Sequence, residues 1–199
     1  MGFSTLLDIM GATIVGGLLL LILLRLHGAV AGNSIIYGSD RSLQRSLAET
    51  AAIVEYDFRK MGYCEDPFKL TEEMQIITVA DSQFISFYTD TDRDGELDVM
   101  SYYVSDVAAL SETKNPRDRI LYRRTNDQLP FMISTNITDL KFEYYNVFGK
   151  LLPSPVASPL EIAHMRISFK VEDPEAFNEE YSQAYWQQVR LTSKNLRKR

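Results

Sequence analysis

The chain opens on a nearly unbroken apolar run. Sixteen uncharged residues, Ile9–Leu24, lie between Asp8 and Arg25, and they include the block Leu18-Leu19-Leu20-Leu21. Such a run is apolar on every face, whereas a helix at the edge of a soluble core keeps one polar side. Sixteen residues fall short of the roughly 20 that cross a bilayer. The run resumes after Arg25, which can snorkel to the interface, so Leu6 to Ala31 is long enough to span. Small residues recur four apart at Ala12/Gly16, Thr13/Gly17 and Gly28/Gly32. That spacing lets helix backbones approach in lipid, and glycine is also common in membrane helices generally. A cleaved secretory signal is the rival reading. Ala29-Val30-Ala31 resembles a cleavage site, but the apolar core is too long and no Lys or Arg precedes it.

The pattern then changes twice. Gly28 to Asp40, with Gly28, Gly32, Asn33 and Gly38, reads as a break or loosened turn, with Ser39 or Asp40 capping a second helix. Leu43, Leu47, Ala51, Val54, Phe58 and Met61 then recur at steps of three and four, the period of an amphipathic helix. Gly62 ends that helix, ahead of Pro67. Beyond Pro67 the period is two. Strands are predicted over Met74–Val79, Phe84–Thr89, Leu97–Val104, Arg119–Arg124, Phe131–Ser134, Thr138–Asn146, Ala163–Val171 and Tyr185–Thr192. Leu140, Phe142 and Tyr144 alternate with Lys141, Glu143 and Tyr145; Met165, Ile167, Phe169 and Val171 alternate with Arg166, Ser168, Lys170 and Glu172. One wet face and one dry face mark an antiparallel sheet. The predicted architecture is α+β: a membrane-spanning helix over 1–32, an amphipathic helix over 33–62, and a β-rich head over 63–199 that the helix packs on.

Composition narrows the function classes. With 45% hydrophobic and 24% charged residues in 199, disorder and low-complexity fibres are excluded. The net charge of −6 argues against a sequence-independent nucleic-acid binder. The end of the chain, 194–199, carries +4, so the remainder carries −10. Cys64 is the one cysteine, so no disulfide forms within the chain, and His27 and His164 are the only histidines. Neither histidine has a Ser or Cys motif beside it, and no glycine-rich phosphate loop is present, so no catalytic constellation emerges. Trp186 is expected in the core.

One stretch carries candidate chemistry. Asp90, Asp92, Asp94 and Asp98 stand at positions 1, 3, 5 and 9 of Asp90-Thr-Asp-Arg-Asp-Gly-Glu-Leu-Asp98, with Gly95 at position 6. This is the first part of a calcium loop, in which alternate carboxylates converge and glycine permits the turn. Glu96 at position 7 would offer its backbone carbonyl. Position 12 is Ser101, which lacks the carboxylate that completes an EF-hand, and the flanks read as strands. A hairpin loop holding Ca2+ with fewer protein ligands is one reading. A plain polar β-turn is the other.

Asp8 is costly near the start of an apolar helix unless it meets a cation. Gly2-Phe3-Ser4-Thr5-Leu6-Leu7-Asp8 ahead of that helix resembles the processing site of type IV pilins and pseudopilins. Four further stretches resemble the minor pilins of the PilW group and the J pseudopilins of type II secretion: Val54–Tyr63, Phe87–Gly95, Leu140–Tyr145 and Val189–Leu196. The resemblance implies cleavage between Gly2 and Phe3 by a prepilin peptidase and methylation of the new terminus. It implies that Asp8 neutralises a neighbouring subunit's terminal amine. Here Asp8 is the sixth residue after the cut, where the family's carboxylate is usually the fifth. It also implies a filament subunit held in the inner membrane, with an extracytoplasmic head, until an assembly platform extracts it. The alternative is a membrane-anchored extracytoplasmic domain that binds calcium or another ligand and joins no filament.

Overall fold

The computed structural model describes residues 2–71, 74–175 and 181–191. The basic end 194–199, and the last residue of the strand predicted over Tyr185–Thr192, lie outside them. The chain divides into two compact units, Met1–Arg41 and Ser42–Arg199.

Helix α1 runs Gly2–Arg59 and contributes to both units. The predicted break at Gly28–Asp40 is absent, and Ser39 and Asp40 are helical rather than caps. Glycine costs a helix about 1 kcal/mol per residue but removes no hydrogen bond. Only proline does that, and the first proline is Pro67. In the first unit, Thr5–Val30 is long and apolar enough to cross a membrane, and none of it is buried within the chain.

In the second unit, Leu43, Leu47, Ala51, Val54 and Phe58 of α1, with Met61 just beyond, are all buried. The period of three and four is thus the buried face. The helix stops where Gly62 turns to φ +66°, a conformation that costs a residue without Cβ little. There its N–H donates to the Tyr88 carbonyl at 2.7 Å, which fastens the helix end to the sheet.

Seven strands follow: β1 Ile77–Ala80, β2 Phe84–Thr89, β3 Asp98–Val104, β4 Arg119–Thr125, β5 Phe131–Tyr145, β6 His164–Glu172 and β7 Gln183–Leu191. They form one sheet in chain order, each antiparallel to the next. The alternation pattern predicts eight. The strands predicted at Phe131–Ser134 and Thr138–Asn146 are one strand, β5, and the strand predicted from Met74 starts at Ile77. Around Ile137 the register of β5 shifts against β6, between Ile137 and Asp139. An irregularity of this kind spoils the alternation without ending the strand.

The alternation holds in β5; in β6 the apolar side is buried as expected, but Ser168 and Glu172 on the opposite side are buried as well. Leu140, Phe142 and Tyr144 are buried, as are Met165, Ile167, Phe169 and Val171. Phe58 sits amid the core, its ring 5.1 Å from Phe87 and Tyr102 and 5.9 Å from Phe142. Truncating a buried phenylalanine to alanine typically costs about 3–5 kcal/mol. Trp186 is half-buried, packs against the core, and lies 4.9 Å from Phe169. The architecture is α+β, with an N-terminal apolar helix and a seven-stranded antiparallel sheet.

Candidate functional site

The loop joining β2 to β3 carries the predicted metal residues. Asp90 immediately follows β2, and Asp98 opens β3. The hairpin brings them together with Asp92. One carboxylate oxygen from each of Asp90, Asp92 and Asp98 lies within 4.8 Å of the others. Asp94 and Glu96 are not in that group. The Asp94 carboxylate turns back to accept the Glu96 N–H at 2.8 Å. The Glu96 carboxylate instead pairs with Lys69, at 2.8 and 3.0 Å.

Local geometry accounts for this arrangement. Asp90 is buried, and its carboxylate accepts three backbone N–H groups: Arg93 at 2.6 Å, Glu65 at 3.0 Å and Gly95 at 3.1 Å. These bonds, Glu65's foremost, hold its pKa below the usual carboxylate range. Asp98 accepts the Thr91 N–H at 3.0 Å, the Thr91 hydroxyl and the Asn126 side-chain amide at 2.7 Å. Burial acts to raise Asp98, and those donors together outweigh it, so its pKa is lowered. Gly95 adopts φ +84°, and a Cβ there would sit 3.4 Å from the Asp66 Cβ. Beneath the loop, the buried Cys64 thiol donates to the Gly95 carbonyl at 3.4 Å. Burial raises that thiol's pKa, as suits a packed rather than a reactive cysteine.

Three ionised carboxylate oxygens match the hard-ligand preference of a divalent cation. They are also only part of the six to eight oxygens calcium takes, and Asp90 and Asp98 already have amide donors. The trio can hold a cation with water or carbonyl oxygens completing the shell. Without one, the loop's own hydrogen bonds keep two of its three carboxylates satisfied.

The processing and assembly residues lie in the first unit. Gly2, Phe3 and Asp8 all fall in the first turns of α1, with Phe3 and Asp8 exposed. His27 is exposed on the same helix, and His164 stacks on the Tyr145 ring at 5.2 Å.

Sequence reading missed two buried ionic groups. Asp57, 3% exposed, accepts the Tyr102 hydroxyl and pairs with Arg123 at 2.7 Å. Its spacing was readable, three after Val54 and four before Met61, on the core face. Glu172, 2% exposed, gathers Arg117 at 2.7 Å, Lys170 at 2.8 Å and Asn115 at 2.9 Å. Nothing in the local sequence marks Arg117 and Asn115, partners that lie 55 and 57 positions away.

No protein-family model matches the chain, and no curated protein does.

Proposed function

We propose that this chain is a pilin-like structural subunit, a minor pilin or pseudopilin of a type IV pilus or type II secretion-like filament. The observation that carries the reading is the helix Thr5–Val30: 26 residues, apolar, and unburied by the rest of its own chain. An apolar surface of that length needs lipid, other copies, or each in turn. Before assembly it anchors the chain in the inner membrane with the sheet unit on the extracytoplasmic side. After assembly the same surface packs against neighbouring subunits. The resemblance at Gly2-Phe3 and Asp8 supports this over a static anchor, since an anchor has no use for a carboxylate inside its apolar run. Prepilin peptidase and the assembly platform are the partners this role requires. Mass spectrometry of the N-terminal peptide of the native protein tests it. A chain that starts at methylated Phe3 is expected. A chain that keeps Met1, or starts near Gly32, overturns processing and favours an anchored or secreted domain.

A second reading rests on Asp90, Asp92 and Asp98: an anchored extracytoplasmic domain whose hairpin holds Ca2+. The two are compatible, because a cation that stiffens the β2–β3 loop leaves the helix free to assemble.

A further inference from the structure

Past the end of β5, the chain from Asn146 to Leu160 carries one charged residue, Lys150, in a protein whose residues are 24% charged. The stretch begins with a tight turn. The Asn146 side-chain carbonyl accepts the Phe148 and Lys150 N–H groups, both at 3.0 Å, and the Asn146 N–H donates to the Lys150 carbonyl at 3.0 Å. Gly149 takes φ +75° within the turn, and behind it the Leu152 N–H donates to the Tyr144 carbonyl at 2.8 Å. Hydrogen bonds thus fix the turn, yet it leaves Val147 76% and Phe148 90% exposed, with Leu151 exposed beside them. Folding gains nothing from a phenylalanine left in water. Holding one there on a preformed turn lowers the ordering cost of a later contact.

We propose that this turn is a lipid-contacting tip: Val147 and Phe148 enter the interfacial layer of an anionic bilayer, and Lys150 stays among the headgroups. The proposal rests on the anchoring read from Thr5–Val30 and does not depend on assembly into a filament. Size favours lipid over a protein partner. A stable protein interface buries about 800 Å² on each side, far more than two side chains on a turn present. Charge favours it too, because a lone lysine beside apolar side chains suits an anionic surface. Glu143, the nearest acid before the turn, is already held by Lys141 at 2.7 Å and Arg166 at 3.0 Å. Glu161 comes only after the stretch ends. Phe68 and Leu129 are as exposed as Phe148, but each follows an aspartate by two residues, Asp66 and Asp127, which a negative surface repels.

The base of the turn has matching chemistry. Tyr145, the last residue of β5, stacks on His164 at 5.2 Å, and the Arg166 guanidinium lies over its ring at 5.4 Å. An aromatic ring with a polar end beside a cation is the pairing that settles at headgroup level. Two inserted side chains bind weakly by themselves. Anchoring by the apolar helix keeps the whole chain near lipid, and that high effective concentration makes a weak second contact sufficient. The contact is therefore reversible: a chain whose helix leaves the bilayer loses the tether, and the tip releases with it.

The test reconstitutes the full-length chain in phosphatidylcholine vesicles with or without phosphatidylglycerol, carrying Phe148→Trp in a Trp186→Phe background. With phosphatidylglycerol present, lipids brominated on their acyl chains should quench the introduced indole about twofold, and Lys150→Glu should remove most of that quenching. Leu129→Trp in the same background should stay unquenched. A nitroxide on Val147→Cys, combined with Cys64→Ser, reports the same depth without altering Trp186. Flotation of the wild-type chain with the vesicles checks anchoring separately. Chain that does not float overturns the anchor and this contact with it. Chain that floats with an unquenched tip overturns the contact alone. A blue-shifted, unquenched indole whose shift grows with protein density means burial against another chain, and overturns lipid as the partner. Equal quenching without phosphatidylglycerol overturns the selection for anionic lipid.

Discussion

The Tyr102 hydroxyl of β3 donates a hydrogen bond to the Asp57 carboxylate of α1 inside the core. Arg123 of β4 pairs with the same carboxylate, its Nε 2.7 Å from Oδ2, the oxygen Tyr102 also meets, while its Nη2 donates to Oδ1 at 3.3 Å. Apolar packing alone would let a helix slide on a sheet by a turn at modest cost. A buried charge with two fixed partners does not slide, because any other position leaves it unpaired. Burial raises the Asp57 pKa, and Tyr102 and Arg123 pull against that. The carboxylate therefore selects one seat for the helix end rather than adding much stability.

The expected consequence is an ordered series of losses. Tyr102→Phe should cost about 2 kcal/mol, the worth of a hydrogen bond to a charged group. Arg123→Met should cost more, roughly 3 kcal/mol, since it strands a buried carboxylate. Asp57→Leu combined with Arg123→Met should recover part of that loss. Denaturant unfolding followed by the emission of Trp186, the one tryptophan, measures all three. A double variant as unstable as Arg123→Met alone would show that Asp57 contributes more than its charge pairing.

Metal binding at the β2–β3 loop makes a separate prediction. If Asp90, Asp92 and Asp98 hold Ca2+, millimolar calcium should raise the melting temperature of the sheet unit, and Asp92→Ala should abolish the rise. Asp92 is the informative position. Its carboxylate has only a weak 3.4 Å contact with the Asp94 N–H, so its loss leaves the loop's own bonds intact. An equal rise in wild type and variant places the calcium effect elsewhere.

Much of this was legible in the sequence, for reasons particular residues make plain. The helix face from Leu43 to Met61 and the alternation in β5 stand out because one side of each is wetter, whereas in β6 the polar residues Ser168 and Glu172 are buried too. The alternate spacing of the loop's aspartates points to a cluster, and the hairpin does place one oxygen each of Asp90, Asp92 and Asp98 close together. Asp94 is read into the same shell because spacing cannot show that its carboxylate turns back to the Glu96 N–H; the pairing of the Glu96 carboxylate with Lys69 leaves the backbone carbonyl expected of Glu96 untouched. The glycines of Gly28–Asp40 suggested a break, yet composition lowers helix propensity without removing a hydrogen bond. Thr135 and Asn136 looked like a strand end because a register shift interrupts alternation locally. Asp57 sat at a readable core position, but Tyr102 and Arg123 became its partners only through strand order.

Acid should weaken the fold through Glu172. Burial pushes this carboxyl up, but Lys170, Asn115 and Arg117 together bring it down to about 2. A carboxyl whose folded pKa lies below its unfolded value, near 4.5, stabilises the fold above that unfolded value. That stability drains as pH falls from about 4.5 towards 2. Arg117 and Lys170 are partly in water, so the contribution is on the order of 2 kcal/mol rather than the full shift. Glu172→Gln should be less stable than wild type at pH 7 and nearly equal to it at pH 2. Parallel unfolding curves for the two proteins across that range would remove Glu172 from the acid response.

Asp118, close enough to feel the Glu172 charge, should respond in the opposite sense. It is 1% exposed, and neither carboxylate oxygen accepts a hydrogen bond. The Thr113 hydroxyl beside it donates instead to the carbonyls of Leu110 and Asn115. Burial raises the Asp118 pKa, the charges of Glu172 and Asp173 add to this, and that of Arg117 offsets part of it. A carboxyl with a raised folded pKa costs nothing below its unfolded pKa. It destabilises increasingly as pH climbs through the folded value. An unsatisfied buried polar group costs about 1–3 kcal/mol. Asp118→Asn removes the charge and keeps the shape, so it should stabilise the sheet unit by about 1 kcal/mol at pH 7, with the gain vanishing near pH 3. Thermal melts of wild type and variant at both pH values decide it. A variant less stable than wild type at pH 7 would mean that the ionised carboxylate is held there by a cation or donor, and that burial is not its dominant influence.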